Sequence, residues 1–261
     1  MAQSRVPEWD VWRQNVHSHP RSQGRASRPG LVSGSASGSQ PHFGEGPLAR
    51  AAALVYTLLV VELLLLAVSL PGLALLVLLD RDASNIPLAA ACAVPLGPAL
   101  SAAVYALHHR SGDLADLRPA AAFLRGYRAN LMGSLQIWLP WLAWLTIVAV
   151  NLSHLTVAGV PGWWGVLLVV VAVAATLCAI DALVITSLFA FRPLDVVRLA
   201  AAYLSRTPGV TLGNACLLVV AAGITAFTSE AVLALLGSVL AALLLRTCRP
   251  MIAEIQREFT R

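Results

Sequence analysis

From residue 51 to residue 79 the chain reads AAALVYTLLVVELLLLAVSLPGLALLVLL, and Glu62 is the one charged side chain in this stretch. At a helical rise of about 1.5 Å per residue, the stretch is longer than the roughly 30 Å hydrocarbon core of a bilayer requires. It therefore predicts a transmembrane helix that either tilts or kinks at Pro71.

Five further apolar runs follow the first. They cover residues 86–107, 131–150, 163–191, 210–227 and 231–245, and the last of them is short. Hydrophobic residues make up 58% of the chain and charged residues 12%, whereas about a quarter of a typical soluble domain is charged. We therefore expect an all-α fold, a polytopic transmembrane helical bundle of about six spans.

The chain divides into three parts by composition. Residues 1–48 are rich in Ser, Gly, Pro, Arg and Gln, and we expect a disordered cytoplasmic tail, because such a segment cannot bury enough apolar surface to fold. Residues 49–248 form the predicted transmembrane domain. Residues 249–261 are predicted to form a short amphipathic helix. No secretory signal is visible, since no apolar segment precedes residue 48.

The distribution of arginine predicts the orientation. All 18 basic residues are Arg, and 17 of them lie in or just after the tail, in the even-numbered connections between runs, or after the sixth run. The remaining one, Arg81, is flanked by Asp80 and Asp82. Under the positive-inside rule both termini are cytoplasmic and the number of spans is even. The Arg, Ala, Val and Leu bias is typical of a GC-rich bacterium, so we expect a bacterial plasma (inner) membrane.

The connections on the Arg-rich side contain Arg-Pro followed by an amphipathic stretch. They are residues 118–128, 192–206 and 249–261. Proline is well tolerated in the first turn of a helix, where its missing N–H has no partner in any case. These stretches are predicted to form interfacial helices that lie on the inner leaflet.

Several short motifs resemble the YesL family of bacterial membrane proteins. They are VPLGPALSAAVYAL (residues 94–107), FLRGYRAN (123–130), FRPLDVVR (191–198) and RTPG (206–209). The resemblance covers roughly residues 45 to 245. It departs from the family between Pro71 and Gly97, where a longer insert separates two motifs, so the family's span count is not carried over. The family has no established activity, and the resemblance implies an accessory role in carbohydrate uptake, with a carbohydrate transporter permease as the partner.

Two carboxylates inside predicted spans are the candidate site residues. A charged side chain within a span costs roughly 2.5–3.5 kcal/mol on insertion scales. Glu62 lies 12 residues after Arg50, and Asp181 lies 11 residues before Arg192, so the two carboxylates are expected at similar depth. One hypothesis is that they face a single polar cavity with Gln136 and Asn214 and bind a substrate, cation or proton there. The alternative is that they are neutral carboxylic acids hydrogen-bonded between helices.

Other chemistry is not indicated. The four cysteines form no CxxC pair and no P-loop, nucleophile elbow or HExxH motif occurs, so we expect no enzyme, no metal and no cofactor. The Arg residues are not interleaved with stacking aromatics, which argues against a nucleic-acid partner. Besides the lipid bilayer, three roles stay open: an accessory of an importer, an autonomous transporter using Glu62 and Asp181, and a scaffold.

Overall fold

The computed structural model describes residues 47–80, 82–110, 118–155, 157–227 and 230–259. Within these ranges the regular elements are helices. They are α1 (Pro47–Leu78), α2 (Ile86–Cys92), α3 (Leu96–His108), α4 (Pro119–His154), α5 (Trp163–Leu188), α6 (Pro193–Arg206), α7 (Pro208–Phe227), α8 (Glu230–Leu235), α9 (Gly237–Thr247) and α10 (Arg249–Phe259). A 3₁₀ turn, Ala83–Asn85, precedes α2. The predicted tail lies outside the described residues, except for Pro47 and Leu48 in the first turn of α1.

The protein is a multi-pass helical membrane protein, which confirms the predicted fold class. In the described part of the chain, five helical segments are long and apolar enough to cross a bilayer. They are Leu48–Leu78, Ala83–His108, Pro119–His154, Trp163–Leu188 and Pro208–Phe227. Large apolar side chains such as Leu59, Val166 and Val219 are exposed on the outside of the bundle. Such surface is expected where hydrocarbon rather than water surrounds a helix.

The sixth apolar run is not one helix. α8 ends at Leu235 and α9 begins at Gly237, with Leu236 between them at φ −105° and ψ 7°. Residues 230–247 would extend about 27 Å at the rise of an α-helix, so only the two helices together have the length of one crossing. The break lies where α9 meets α1, because a Cβ on Gly237 would lie 3.1 Å from the Leu65 side chain.

The first run forms a single helix, α1, that passes through Pro71 without ending. One residue further on, Gly72 packs directly against the backbone carbonyl of Cys92, where a Cβ would collide with the oxygen. A glycine is therefore required where the second half of α1 meets the end of α2.

The second run is interrupted between α2 and α3, at residues 93–95. Its prolines remove backbone donors, so carbonyl groups near the interruption need other partners. The Trp138 indole N–H donates to the Ala93 carbonyl at 3.0 Å, and the Trp138 ring covers Gly97. Trp138 of α4 thus closes the interruption, and protein rather than lipid satisfies the exposed backbone.

The most closely packed part of the bundle is α3 with α4 and α5. Ala99, Ala102 and Ala103 of α3 have no exposed surface. α4 runs antiparallel to α3, since Gly97 meets Trp138 at one end and Gly126 meets Tyr105 at the other. Small residues let these helices approach closely, which is how helices gain contact energy within a membrane.

Short helices cover one end of the bundle, which we call the basic end because Arg110, Arg206 and Arg249 lie there. α6 begins at Pro193 and α10 at Arg249, as the Arg-Pro pairs predict. Residues 118–128 differ from the prediction: they are not a separate interfacial helix but the first turns of α4, which continues to His154.

The apolar faces of these helices also differ from the prediction, which placed them against lipid. Val196 and Tyr203 of α6, together with Met251 and Ile255 of α10, are fully buried and belong to the main hydrophobic core. The faces pack on protein because the core of the bundle would otherwise be uncovered at this end.

Candidate functional site

Asp181 and Asn214 form a buried polar pair between α5 and α7. Each is 1% exposed, and the Asn214 Nδ2 donates a hydrogen bond to the Asp181 Oδ1 at 2.8 Å. The Cys248 sulfur, where α9 ends, lies 3.5 Å from the same nitrogen. The amide therefore satisfies a carboxyl group that would be costly to bury alone. It also links α7 to α5 and to the end of α9.

Glu62 lies at a different place, beside the break between α8 and α9. Its Oε2 accepts a hydrogen bond from the Ser238 backbone N–H in the first turn of α9. The first N–H groups of any helix lack partners within that helix and carry partial positive charge. A carboxylate at this position therefore suits the start of α9. The other oxygen, Oε1, is buried and has no hydrogen-bond partner among the described residues.

Gln136 belongs to neither group. It lies on α4, where Ser134, Ile137 and Trp138 are buried, and its own side chain is exposed. The reason is helical geometry: successive residues point about 100° apart, so the face that packs on α3 turns Gln136 outward. The structure thus corrects the predicted grouping of four polar residues in one cavity. It brings together Asp181 and Asn214, and places Glu62 and Gln136 elsewhere.

An apolar cavity lies beside the Asp181–Asn214 pair. Its volume is about 350 Å³, and its lining comes from α1, α3, α5, α7, α8 and α9. Nearly all of the lining is leucine, isoleucine or alanine, as with Leu65, Leu217 and Leu240. Small-molecule sites in proteins typically enclose about 300–1,000 Å³, so the cavity has the size of a ligand site. We call it the membrane cavity.

Polar atoms are scarce in the membrane cavity. Among the described residues, Asn214 and Thr225 are the polar side chains in its lining, and the Thr225 hydroxyl already donates to the Ala221 carbonyl at 3.0 Å. The Asn214 Nδ2 is also engaged, with Asp181, but the Asn214 Oδ1 has a weak partner, the Cys248 sulfur at 3.9 Å, and can accept a hydrogen bond from a ligand. The Asn214 amide is oriented by Asp181 behind it.

The membrane cavity opens to the outside of the bundle. Leu65, Asn214, Gly237 and Ala241 are buried, whereas the other lining side chains are half-buried. Because α1, α3, α5 and α7 belong to segments that can cross a bilayer, the opening faces the hydrocarbon region. The natural neighbours of this cavity are therefore lipid chains.

Polar contacts at the basic end join α6 to α10. The Tyr203 hydroxyl donates to Glu258 Oε2 at 3.3 Å, and the Arg206 guanidinium lies 3.8 Å from Glu258 Oε1. Burial raises the pKa of Tyr203, the carboxylates of Glu258 and Glu254 raise it further, and Arg206 opposes them. These contacts position the covering helices and bear no relation to the membrane cavity. Among the described residues, no three His, Cys, Asp or Glu side chains lie together as a metal site would require.

The sequence analysis did not identify the membrane cavity. Its lining residues lie in helices that are apolar on every side, and a uniformly apolar helix has no face that spacing could distinguish. The one available signal was Asn214, an amide inside an apolar run. The leucines and alanines around it become a cavity only through the arrangement of the helices.

Comparison with known proteins finds no matching family model, no matching curated protein and no matching solved structure. The YesL resemblance and the role that it implies therefore stay predictions from the motifs quoted above.

Proposed function

We propose that this chain is an intramembrane binding protein for an amphiphile with one hydrocarbon chain and a small polar group. The observation that supports this function is the membrane cavity, which has an aliphatic lining, a volume of about 350 Å³ and an opening toward the hydrocarbon region. An apolar cavity of this size gains free energy when a hydrocarbon chain fills it, since the lining otherwise lacks contacts on one side.

The lining argues for a chain-like ligand and against a sugar. A sugar needs many hydrogen bonds, and an unpaired hydroxyl in an apolar site costs a few kcal/mol. Asn214 provides one amide for this purpose, and Thr225 already uses its hydroxyl within α7. A hydrocarbon chain, by contrast, needs only aliphatic contacts, and one polar group at its end matches Asn214.

The other sequence-based functions rank below this one. An accessory role in carbohydrate uptake, with an importer's permease as partner, stays a prediction of the YesL resemblance. An autonomous transporter would use Asp181 and Glu62, whose buried Oε1 has no hydrogen-bond partner in the part of the chain that the structure describes. However, Asp181 is paired with Asn214, and Glu62 caps the start of α9. Both arrangements suit structural roles of the kind that buried carboxyl groups fill between helices.

The proposal includes the location and orientation. We place the basic end in the cytoplasm of a bacterium and both termini on that side of the plasma membrane, because 17 of 18 Arg residues lie on one side of the predicted spans. This orientation requires an even number of crossings. The pair α8 and α9, with the length of one crossing, adds a sixth to the five long segments.

The test is photo-crosslinking with a hexadecanoic acid that carries a diazirine in its chain, added to the detergent-purified chain. We expect labelled peptides from α7 and α9 that include cavity residues such as Leu217 and Leu240. Ala221→Trp fills the cavity and should weaken binding at least tenfold, about 1.4 kcal/mol. Val219→Trp is the matched control, because Val219 lies on the same helix and is 70% exposed.

Two results would count against amphiphile binding. One is labelling spread evenly over the outer surface of the bundle, which would indicate unspecific partition of the probe. The other is equal labelling of Ala221→Trp and Val219→Trp.

A further inference from the structure

A second cavity lies at the basic end, separate from the membrane cavity. The end of α3, the end of α9 and the first turns of α10 enclose a recess of about 430 Å³. Its rim carries His108, Arg110 and Arg249, and its floor consists mainly of Leu107, Leu245 and Ile252. We call it the basic recess. It shares no lining residue with the membrane cavity.

The charge of the basic recess favours an anion. The guanidinium groups of Arg110 and Arg249 and the imidazole of His108 line it, from the segment at the end of α3 and from the start of α10, and among the described residues its lining includes no Asp or Glu. Arg249 is the first residue of α10, so the positive charge of the recess comes from the side chains of two different segments. Guanidinium groups bind phosphate through paired N–H donors, which makes a phosphate group the best match.

The floor of the basic recess distinguishes a lipid from a soluble anion. Leu107, Leu245 and Ile252 are more than nine-tenths buried, and they present apolar surface directly below the cationic rim. A free phosphate would use the rim and leave this surface without a partner. The phosphate of a membrane lipid, with its glycerol and the start of its acyl chains, would use both.

The depth of the basic recess agrees with a lipid headgroup. The membrane-crossing segment Ala83–His108 ends at His108, and the rim residue Arg110 follows two positions later. The recess therefore lies where a crossing helix leaves the hydrocarbon, which is the level of the headgroups. Basic pockets between helices at this level are the usual sites for anionic lipid headgroups.

We propose that the basic recess binds the phosphate group of an anionic phospholipid, with Arg110 and Arg249 as the phosphate ligands. The site is independent of the amphiphile function, since a single-chain ligand in the membrane cavity meets neither arginine. A lipid held between α3 and α10 would also fasten the covering helix α10 to the bundle.

The experiment is native mass spectrometry of the full chain released from nanodiscs that contain equal amounts of phosphatidylglycerol and phosphatidylcholine. We expect the wild type to retain phosphatidylglycerol in preference to phosphatidylcholine. Arg110→Gln with Arg249→Gln should reduce that preference at least tenfold. The matched control is Arg198→Gln with Arg257→Gln, which removes the same charge from exposed positions outside the recess and should change the preference less than twofold.

A second arm adds inorganic phosphate to lipid-free protein in a neutral detergent. Three results overturn the lipid site: a wild type with no preference for phosphatidylglycerol, an Arg110→Gln/Arg249→Gln variant with the wild-type preference, or an equal loss in the control pair. Phosphate binding that depends on Arg110 and Arg249, without preference for phosphatidylglycerol, would assign the recess to a soluble anion instead. Size-exclusion profiles that match the wild type verify that each variant is folded.

Discussion

The two sides of the bundle are packed very differently, although both consist of apolar helices. On one side, nine of the 13 residues of α3 are buried, and α4 and α5 pack closely against it. On the other side, two of the 20 residues of α7 are buried, Val210 and Asn214. The first side is a solid core, whereas the second encloses the membrane cavity.

The difference teaches that apolar composition does not decide how tightly membrane helices pack. Lipid chains are as apolar as leucine, so leucine-rich helices gain little by leaving lipid for one another. α3 packs closely because alanines and Gly97 let neighbouring backbones approach. α7 carries larger side chains toward its neighbours and touches the bundle closely near one end, through Asn214 and through Gly213 against Thr247.

The largest expected effect comes from the same substitution, glycine to alanine, made once on each side of the bundle. Gly97→Ala places a methyl group against Cγ of Trp138, too close for both to fit, so we expect a loss of about 2–3 kcal/mol of stability. Among the described residues, no atom outside the backbone of α7 itself lies within 4 Å of the position of a Cβ on Gly223, so Gly223→Ala should leave stability unchanged or raise it by up to about 1 kcal/mol. Thermal unfolding in detergent measures both, with a fall in Tm of roughly 5–10 °C for Gly97→Ala. Equal shifts would show that the two sides are packed alike.

A smaller effect is expected at the break between α8 and α9. Glu62→Leu removes the acceptor of the Ser238 N–H and should cost about 1–2 kcal/mol, because a buried donor then has no partner. Glu62→Gln keeps an acceptor oxygen and should stay within about 0.5 kcal/mol of the wild type. We expect the Tm of Glu62→Leu to lie below that of Glu62→Gln. A Leu variant as stable as the Gln variant would mean that Glu62 does not hold the start of α9.

The smallest effect is the coupling between Asp181 and Asn214, which attaches α7 to α5. A double-mutant cycle with Asp181→Ala and Asn214→Ala should give a coupling of about 0.6 kcal/mol, the average for polar pairs inside membranes. The cycle uses the unfolding free energies of the four proteins in one detergent. A coupling near zero would show that the Asp181–Asn214 hydrogen bond does not hold α7 to α5 and would weaken the contrast between the two sides.

Much of the fold could be predicted from the sequence because each part depends on local chemistry. Long apolar runs must form helices in a bilayer, since their backbone groups have no other partners. Arg-Pro pairs predict the starts of α6 and α10, because proline suits the first turn of a helix. The breaks were less visible: Pro95 indicates the interruption after α2, whereas Leu236 carries no signal of its own and becomes a break where Gly237 meets Leu65.

The candidate site could be predicted only in part. An intramembrane carboxyl group needs a partner, so Asp181 and Asn214 stood out as polar residues in apolar runs, and they are hydrogen-bonded. Glu62 stood out for the same reason, but its partner is a backbone N–H, which no sequence pattern marks. Gln136 was grouped with them because position in the sequence indicates how deep a residue lies in the membrane. It does not indicate toward which neighbour a helix turns that side chain.

The sequence by itself determined that this protein is a multi-pass helical membrane protein, where its covering helices begin and which intramembrane polar groups need partners. These properties follow from the free energy of placing each segment in hydrocarbon, which depends on composition. Only the tertiary structure decided that α7 buries few of its residues, that Glu62 and Asp181 have separate partners, and that a cavity and a basic recess exist. Those properties depend on how helices rotate and approach each other, and apolar helices in an apolar solvent leave that choice to a few glycines, prolines and hydrogen bonds.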